Sequence, residues 1–215
     1  MAEKQRRTKD KDERIDEILD AAKTVFFNKG YFNSTVEEIS KLAGISKGTV
    51  YLYFKNKDEL YVSLIMPMIE EYARLLLEFE SKLVKNEFKT GDDIIMEFYN
   101  IYCKLYEYDT EGLRIFQVYL STNLFSAMPK NTRDRLWLSG KRNIRIMKGI
   151  ITDSIKLGLL PELHPMKLLD VLWASFLGII QWEDSKYRIS KKNYLFDTLE
   201  YSFSLISKGL GLKKD

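Results

Sequence analysis

Five helix signals follow one another at short intervals between residues 30 and 60, and they constrain the fold more than any other feature. They are two glycines that can end a helix and three polar residues that can begin one: Gly30, Gly44, Thr35, Ser46 and Asn56. Thr35-x-x-Glu38 and Asn56-x-x-Glu59 have the pattern of a capping box, and glycine readily takes the left-handed conformation of a helix C-terminus. The spacing predicts the helix, short helix, tight turn and second short helix (about residues 46–54) of a helix-turn-helix unit.

Helical periodicity continues through the rest of the chain, and strand signals are nearly absent. A long fourth helix is predicted to start at Asn56 and to contain Pro67, which acts there either as a tolerated kink or as a hinge. Apolar spacing and turn residues then predict five more helices, at about 92–108, 111–126, 130–158, 165–185 and 193–208. We therefore expect an all-α protein, with an N-terminal three-helix helix-turn-helix domain at residues 12–62 and a C-terminal helical domain at residues 63–215.

The composition excludes several classes of function. The 215 residues include one cysteine, Cys103, and one histidine, His164, which is too few for structural zinc, a disulfide or Cys-His catalysis. Because the sequence also lacks a glycine-rich phosphate loop, we expect no enzyme activity, no catalytic residue, no metal and no cofactor. The N-terminus has no apolar core, and the most apolar run is shorter than the roughly 20 residues of a membrane span. We therefore expect a cytoplasmic protein without membrane association.

Positive charge is concentrated around the predicted helix-turn-helix, although the net charge of the chain is only +3. From Ile39 to Lys57 the sequence has four lysines and no acidic residue: Lys41, Lys47, Lys55 and Lys57. The N-terminal arm adds four more cations against Glu3: Lys4, Arg6, Arg7 and Lys9. Basic residues that flank a helix-turn-helix are the electrostatic footprint of a phosphate-binding face. A solvated lysine-rich surface is the alternative, but it does not account for the polar residues at one helix start.

Small polar residues crowd the start of the third predicted helix: Ser46, Lys47, Gly48 and Thr49. In a helix-turn-helix, this end of the second helix enters the major groove, where Lys donates to guanine and Ser or Thr contacts several bases. Gly48 costs about 1 kcal/mol of helix propensity relative to Ala, which is best explained by close approach of another surface. Tyr51 and Tyr53 carry hydroxyls that can donate to phosphates, or are half buried beneath the module.

The same stretch resembles the TetR family of bacterial transcriptional regulators. The matching residues lie within about 12–65: Gly30-Tyr31, Ser34-Thr35, Ile39, Leu42 to Tyr51, Tyr53-Phe54 and Lys57 to Leu60. Ser40 departs from the family, whose members commonly have Ala there. The resemblance implies a homodimer that inserts one recognition helix per subunit into a palindromic operator in double-stranded DNA. It places Ser46, Lys47, Gly48 and Thr49 at base-reading positions. It places Thr35, Tyr51, Tyr53 and Lys57 at phosphate-binding positions.

The resemblance also implies a regulatory role for the C-terminal domain. We expect a repressor that a small, largely apolar ligand releases from DNA, with activation of transcription left open. The alternative is an architectural or partner-binding DNA protein of the same fold without a small-molecule ligand. Aromatic and neighbouring side chains are the candidates for a ligand pocket, with plain core packing as the alternative: Tyr99, Tyr102, Phe116, Tyr119, Met147 and Trp173.

The helix predicted at 165–185 is apolar nearly all round, so both of its sides must be covered. In a domain of this size, a partner subunit would supply one cover, and a fully intrachain core is the alternative. The resemblance implies dimerisation through the last two long helices. The candidate interface residues lie on these helices: Ala174, Leu177, Gly178, Phe203 and Ile206.

Overall fold

The computed structural model describes the backbone of residues 2–212 and the side chains of residues 11–212. It consists of ten helices in this range: α1 Ala2–Lys29, α2 Val36–Leu42, α3 Lys47–Tyr53, α4 Lys57–Val84, α5 Gly91–Tyr108, α6 Thr110–Ser121, α7 Leu124–Ala127, α8 Lys130–Lys156, α9 Pro165–Ser190 and α10 Leu195–Gly209. The described residues contain no strand, which confirms the all-α prediction. The basic side chains of the N-terminal arm (Lys4, Arg6, Arg7 and Lys9) lie outside the described side chains.

The helix signals between residues 30 and 60 act as predicted, with one variation. Thr35 and Glu38 form a reciprocal capping box at the start of α2. Gly30 and Gly44 end α1 and α2 with φ angles of 72° and 67°, in the left-handed region that favours glycine. At α4, the Asn56 side chain accepts from the Glu59 amide at 2.8 Å. The Glu59 carboxylate accepts instead from the Lys55 amide at 2.7 Å, one residue before the expected position.

Two helices of the C-terminal part differ from the prediction. The helix predicted at 111–126 is interrupted at Thr122, whose backbone is extended and whose hydroxyl donates to the Val118 carbonyl at 2.8 Å. A Thr hydroxyl that satisfies a helix carbonyl competes with the helix itself, so the chain restarts as α7. Helix α9 continues five residues beyond the predicted end at residue 185 and stops at Ser190, followed by Lys191 in the left-handed conformation.

The chain forms two compact units that are not consecutive in sequence. The first unit holds the residues up to Met68 together with Asp109–Leu138, and the second holds Ile69–Tyr108 and the residues from Ser139 onward. In the first unit, the Lys23 ammonium lies 2.6 Å from an Asp109 carboxylate oxygen, and the Tyr61 hydroxyl donates to the Ile115 carbonyl at 2.7 Å. This division differs from the predicted boundary after residue 62, because α6 and α7 join the helix-turn-helix helices.

In the second unit, α10 packs against α5 and α9. One face of α9 supplies core residues, with Leu172 and Phe176 fully buried, while Val171 and Trp182 on the opposite face are 49% and 63% exposed. Phe203 of α10 is fully buried against Tyr102 of α5. The prediction of Phe203 as a dimer-interface residue is therefore wrong, because its own chain already covers it. Among residues 2–212, no helix has the length and apolar character that a membrane crossing requires.

Candidate nucleic-acid interface

Three buried side chains hold the helix-turn-helix together. Ile39 of α2 and Val50 of α3 have no solvent exposure, and Phe54, which follows α3, is 6% exposed. Val50 and Phe54 therefore face the interior of the unit. Since these residues fix one side of α3 against its neighbours in the first unit, the opposite side is available to another molecule.

The four residues predicted to contact bases form the accessible N-terminal end of α3. Ser46, Lys47 and Gly48 are exposed, and Thr49 is half-buried. The Ser46 hydroxyl accepts from the Thr49 amide at 3.0 Å and lies 2.8 Å from the Thr49 hydroxyl, so these two residues cap the helix as well as face outward. Lys47 forms no ion pair within residues 11–212. The structure thus brings the four residues together at one exposed helix end.

Nothing within the described unit requires glycine at position 48. A Cβ atom built at Gly48 would meet only the Ser46 hydroxyl oxygen, at an ordinary contact distance of 3.6 Å. The residue is exposed, and its helical conformation is open to any L-amino acid. Close approach by an external surface therefore remains the interpretation of Gly48, as expected for a helix that enters a groove.

The residues predicted to contact phosphate have different environments. Thr35 is exposed, but its hydroxyl and its amide both bond to the Glu38 carboxylate, at 3.1 and 2.9 Å. Tyr51 is exposed and Tyr53 half-buried, and neither hydroxyl has a hydrogen-bond partner among the side chains and backbone that the structure describes. The two tyrosine hydroxyls are therefore available to an external acceptor, and the phosphate-binding roles stay predictions.

Lys57 has a structural function that sequence reasoning missed. Its ammonium donates to the carbonyls of Tyr31 and Ser34, at 2.8 and 3.0 Å, and lies 4.1 Å from the centre of the Tyr31 ring. Partial burial lowers the pKa of Lys57. The Tyr31 hydroxyl donates to Asp58 at 2.6 Å, and burial together with this bond raises the pKa of Tyr31. Lys57 and Asp58 thus anchor the α1–α2 loop to the start of α4.

The residues predicted to line a ligand pocket do not all belong to the same unit. Phe116 and Tyr119 stack on each other in the first unit, with ring centres 5.8 Å apart. Tyr102, Met147 and Trp173 come together in the second unit around a residue that sequence reasoning missed, Tyr72. The Tyr72 hydroxyl donates to the Met147 sulfur at 2.7 Å, and the Tyr72 ring stacks on Trp173 at 5.3 Å.

Tyr99 lies apart from the Tyr72 cluster. It packs beside Phe203, with ring centres 6.0 Å apart, and with Cys103 it lines a polar surface recess of about 580 Å³. Burial raises the pKa of the Cys103 thiol to about 11, so this thiol is protonated at neutral pH. In the part of the chain that the structure describes, no three His, Cys, Asp or Glu side chains are grouped to hold a metal ion.

The remaining interface candidates on α9 and α10 are accessible to different degrees. Ala174 and Gly178 are exposed, and Leu177 and Ile206 are partly exposed. Ala174 and Gly178 share a face of α9 with Val171 and Trp182, because residues at i, i+3, i+7 and i+11 follow one face of a helix. This face has small residues at its centre and large apolar residues toward its ends, so another helix can approach it closely.

Known proteins resemble this chain in two ways. Residues 18–64 match the family model described as bacterial regulatory proteins, tetR family. The fatty acid metabolism regulator protein of Bacillus subtilis is 40% identical over 62 residues, which are 29% of this chain and 32% of that protein. The chain thus spans about a third of the length of the first curated relatives it matches.

Solved structures show the same fold over nearly the whole chain. FadR from Bacillus subtilis, solved in complex with stearoyl-CoA, has a TM-score of 0.68 at 24% identity and covers 90% of this chain and 97% of its own. SmeT of Stenotrophomonas maltophilia, solved in complex with triclosan, has a TM-score of 0.67 at 21% identity and covers 94% and 93%. Residues 18–64 therefore carry the helix-turn-helix segment of the tetR family of bacterial regulatory proteins, and the described chain has the all-helical fold of the two solved structures.

Proposed function

We propose that this protein is a DNA-binding transcriptional regulator. The observation that carries the proposal is the exposed N-terminal end of α3, where Lys47, Gly48 and Thr49 project from a helix fixed to its unit by Val50. In the major groove, the Lys47 ammonium can donate to base edges, and the Thr49 side chain can donate to or contact them. Tyr51 and Tyr53, with hydroxyls that have no partner within residues 11–212, would position the helix on the phosphate backbone.

The regulator acts as a homodimer on a palindromic operator. A two-fold dimer presents two recognition helices to half-sites one helical turn apart, roughly 34–36 Å. The exposed apolar face of α9, formed by Val171, Ala174, Gly178 and Trp182, supports this assembly because water-exposed apolar surface favours burial against a second copy. Leu205 of α10, which is 49% exposed, is available to extend the same interface.

A small, largely apolar ligand would control DNA binding through the second unit. The cluster of Tyr72, Tyr102, Met147 and Trp173 combines apolar surface with two phenol hydroxyls, which is the composition of many ligand sites. Two structures of this fold hold ligands with a large apolar part, the acyl chain of stearoyl-CoA in FadR and triclosan in SmeT. If the bound ligand lowers the affinity of the protein for DNA by some factor, then bound DNA must lower the affinity for the ligand by the same factor. Helix α4, which contains Pro67 and contributes residues to both units, would transmit the change.

The alternative is a DNA-binding protein of this fold without a small-molecule signal. Close packing in the second unit favours it, since Tyr102 stacks on Phe176 with ring centres 4.6 Å apart and both residues are almost completely buried. Stearoyl-CoA and triclosan are suitable first probes. The ligand-controlled regulator would be supported if either probe released DNA from the wild-type protein and did not release it from a Trp173→Ala variant that still binds DNA. Direct titration in which neither probe binds would favour the alternative.

Selection of DNA from a randomised duplex pool tests the proposed function. The wild-type protein should enrich a palindromic motif. The Lys47→Ala and Thr49→Ala variants should enrich a different or more degenerate motif, and Lys104→Ala, which removes an exposed lysine of α5 in the second unit, should enrich the wild-type motif. Enrichment of no motif by the wild-type protein would contradict the function. Unchanged motifs in the α3 variants would contradict only the assignment of the recognition helix.

A further inference from the structure

A small recess lies in the first unit between the start of α4 and the start of α8. Its volume is about 100 Å³, and its polar lining comes from both elements: Lys55, Asn56, Glu59, Asn131, Thr132 and Arg135. Pockets for drug-sized ligands are typically about 300–1,000 Å³. The recess is therefore suited to a small polar group rather than to the apolar effector considered above.

The recess is lined by cations without internal partners. Lys55 and Arg135 are exposed and form no ion pair within the described side chains. The neighbouring cations Lys130, which is exposed, and Arg133, which is half-buried, also form no ion pair within the described side chains. The first six residues of α8 therefore carry three positive charges against one negative charge, at Asp134. These side chains are available to an external anion.

Glu59 is the acidic residue in the lining, and with Lys55 and Arg135 it leaves a net positive charge there. Its carboxylate accepts from the Lys55 backbone amide at 2.7 Å, and it forms no ion pair with the Lys55 ammonium or the Arg135 guanidinium. Asn56, Asn131 and Thr132 add neutral groups that can donate to an anion, although the Asn56 side-chain oxygen is engaged at the start of α4. The lining as a whole favours a phosphate oxygen.

The chain connects this recess directly to the proposed phosphate-binding residues. Lys55 and Asn56 lie between Tyr53 at the end of α3 and Lys57 at the start of α4. Residues 130–135, by contrast, follow the helix-turn-helix by more than 60 positions and fall outside the segment that matches the family model. Their assignment to the first unit brings extra positive charge next to the turn after the recognition helix.

We propose that the recess between α4 and α8 is a second phosphate-binding surface, through which Lys55 and Arg135 contact the backbone of the bound DNA duplex. The inference rests on the proposed function, and it extends the DNA contact beyond the helix-turn-helix. Contacts of this kind fix position and affinity without reading sequence, because phosphates are the same at every base pair. The surface therefore adds to affinity for any duplex and leaves the recognised motif unchanged.

Salt dependence of DNA binding tests this surface. The double variant Lys55→Gln/Arg135→Gln should reduce the slope of log K against log salt concentration by about 1–2, since each phosphate contact contributes about 0.9. It should enrich the same motif as the wild-type protein. The matched control is Arg145→Gln/Lys148→Gln, which removes the same two charges from exposed positions of α8 in the second unit and should keep the wild-type slope. An unchanged slope in the Lys55/Arg135 variant would overturn the inference.

Neutral methylphosphonate linkages, introduced one at a time into the selected duplex, give an independent measurement. A Tyr53→Phe variant identifies the linkages that Tyr53 contacts. At one or more of the other linkages, the neutral substitution should weaken DNA binding by the wild-type protein and should not weaken binding by the Lys55/Arg135 variant. Equal losses in both proteins at every linkage would overturn the inference. If the wild-type protein bound no duplex at all, the proposed function itself would be contradicted, so the two failures are distinguishable.

Discussion

Lys57 and Tyr31 are joined by two contacts at once. The Lys57 ammonium donates to the Tyr31 carbonyl at 2.8 Å and lies 4.1 Å from the centre of the Tyr31 ring. The same ammonium also holds the Ser34 carbonyl, one residue before the Thr35 cap of α2. The start of α4 therefore fixes the loop that positions α2, and through α2 it supports α3.

Replacing Lys57 with Met should destabilise the first unit. The substitution leaves two loop carbonyls without their charged donor, and we expect a loss of about 1–2 kcal/mol after allowance for partial exposure. Urea unfolding followed by circular dichroism measures this loss. Lys55→Met is the matched control, since its exposed side chain has no partner in the described part of the chain, and it should change stability by less than about 0.5 kcal/mol. Equal stability of the two variants would show that the Lys57 contacts contribute nothing.

Gly48→Ala should change stability and DNA affinity in opposite directions. The new Cβ atom has room in the free protein, and alanine stabilises a helix by up to about 1 kcal/mol relative to glycine. In the complex the same atom would meet DNA, so binding to the selected duplex should weaken. Thermal unfolding and fluorescence anisotropy measure the two effects. Unchanged affinity would rule out close approach of DNA at this position.

The capping box of α2 should make stability depend on pH in the acidic range. The Lys29 ammonium, followed by the Thr35 amide and hydroxyl, lowers the pKa of Glu38 below its ordinary value of 4.5. Because the folded-state pKa is the lower one, the contribution of Glu38 is present above about pH 4.5 and is lost as the pH falls through the folded-state value. Titration of the Glu38 carboxyl carbon by NMR should show a midpoint below 4.5. In Lys29→Gln, the midpoint should move up; an unmoved midpoint would show that Lys29 is not the cause.

The exposed face of α9 should mediate dimerisation. A carboxylate at Val171 or Trp182 would be buried without a partner at a two-fold helix interface, so Val171→Glu and Trp182→Glu should shift the dimer toward monomer by tenfold or more, as expected for a loss above about 1.4 kcal/mol. Analytical ultracentrifugation over a range of concentrations measures the shift. Val84→Glu, at a 77% exposed position near the end of α4, should leave association unchanged. Dimers of wild-type strength in both α9 variants would exclude this face.

The interruption at Thr122 shows where local sequence rules are insufficient. Apolar spacing continues across residues 111–126, and no glycine or proline stands between residues 113 and 128 to mark a break. At the break, the Thr122 hydroxyl bonds to the Val118 carbonyl and the Thr122 backbone is extended. Ser and Thr make the same local bond inside unbroken helices, as Ser154 does with Ile150 in α8, so packing decides which outcome prevails.

The sequence by itself determined the helix-turn-helix. The signals at Gly30, Thr35, Gly44 and Ser46 act over three or four residues, and the bonds that satisfy a helix end are formed within one turn. Tertiary structure alone decided that α6 and α7 join the first unit, that Phe203 is core, and that Tyr72 is at the centre of the aromatic cluster. It also gave Lys57 partners 26 and 23 positions away. Such contacts depend on how helices pack, and helical periodicity fixes which face is apolar without fixing which neighbour covers it.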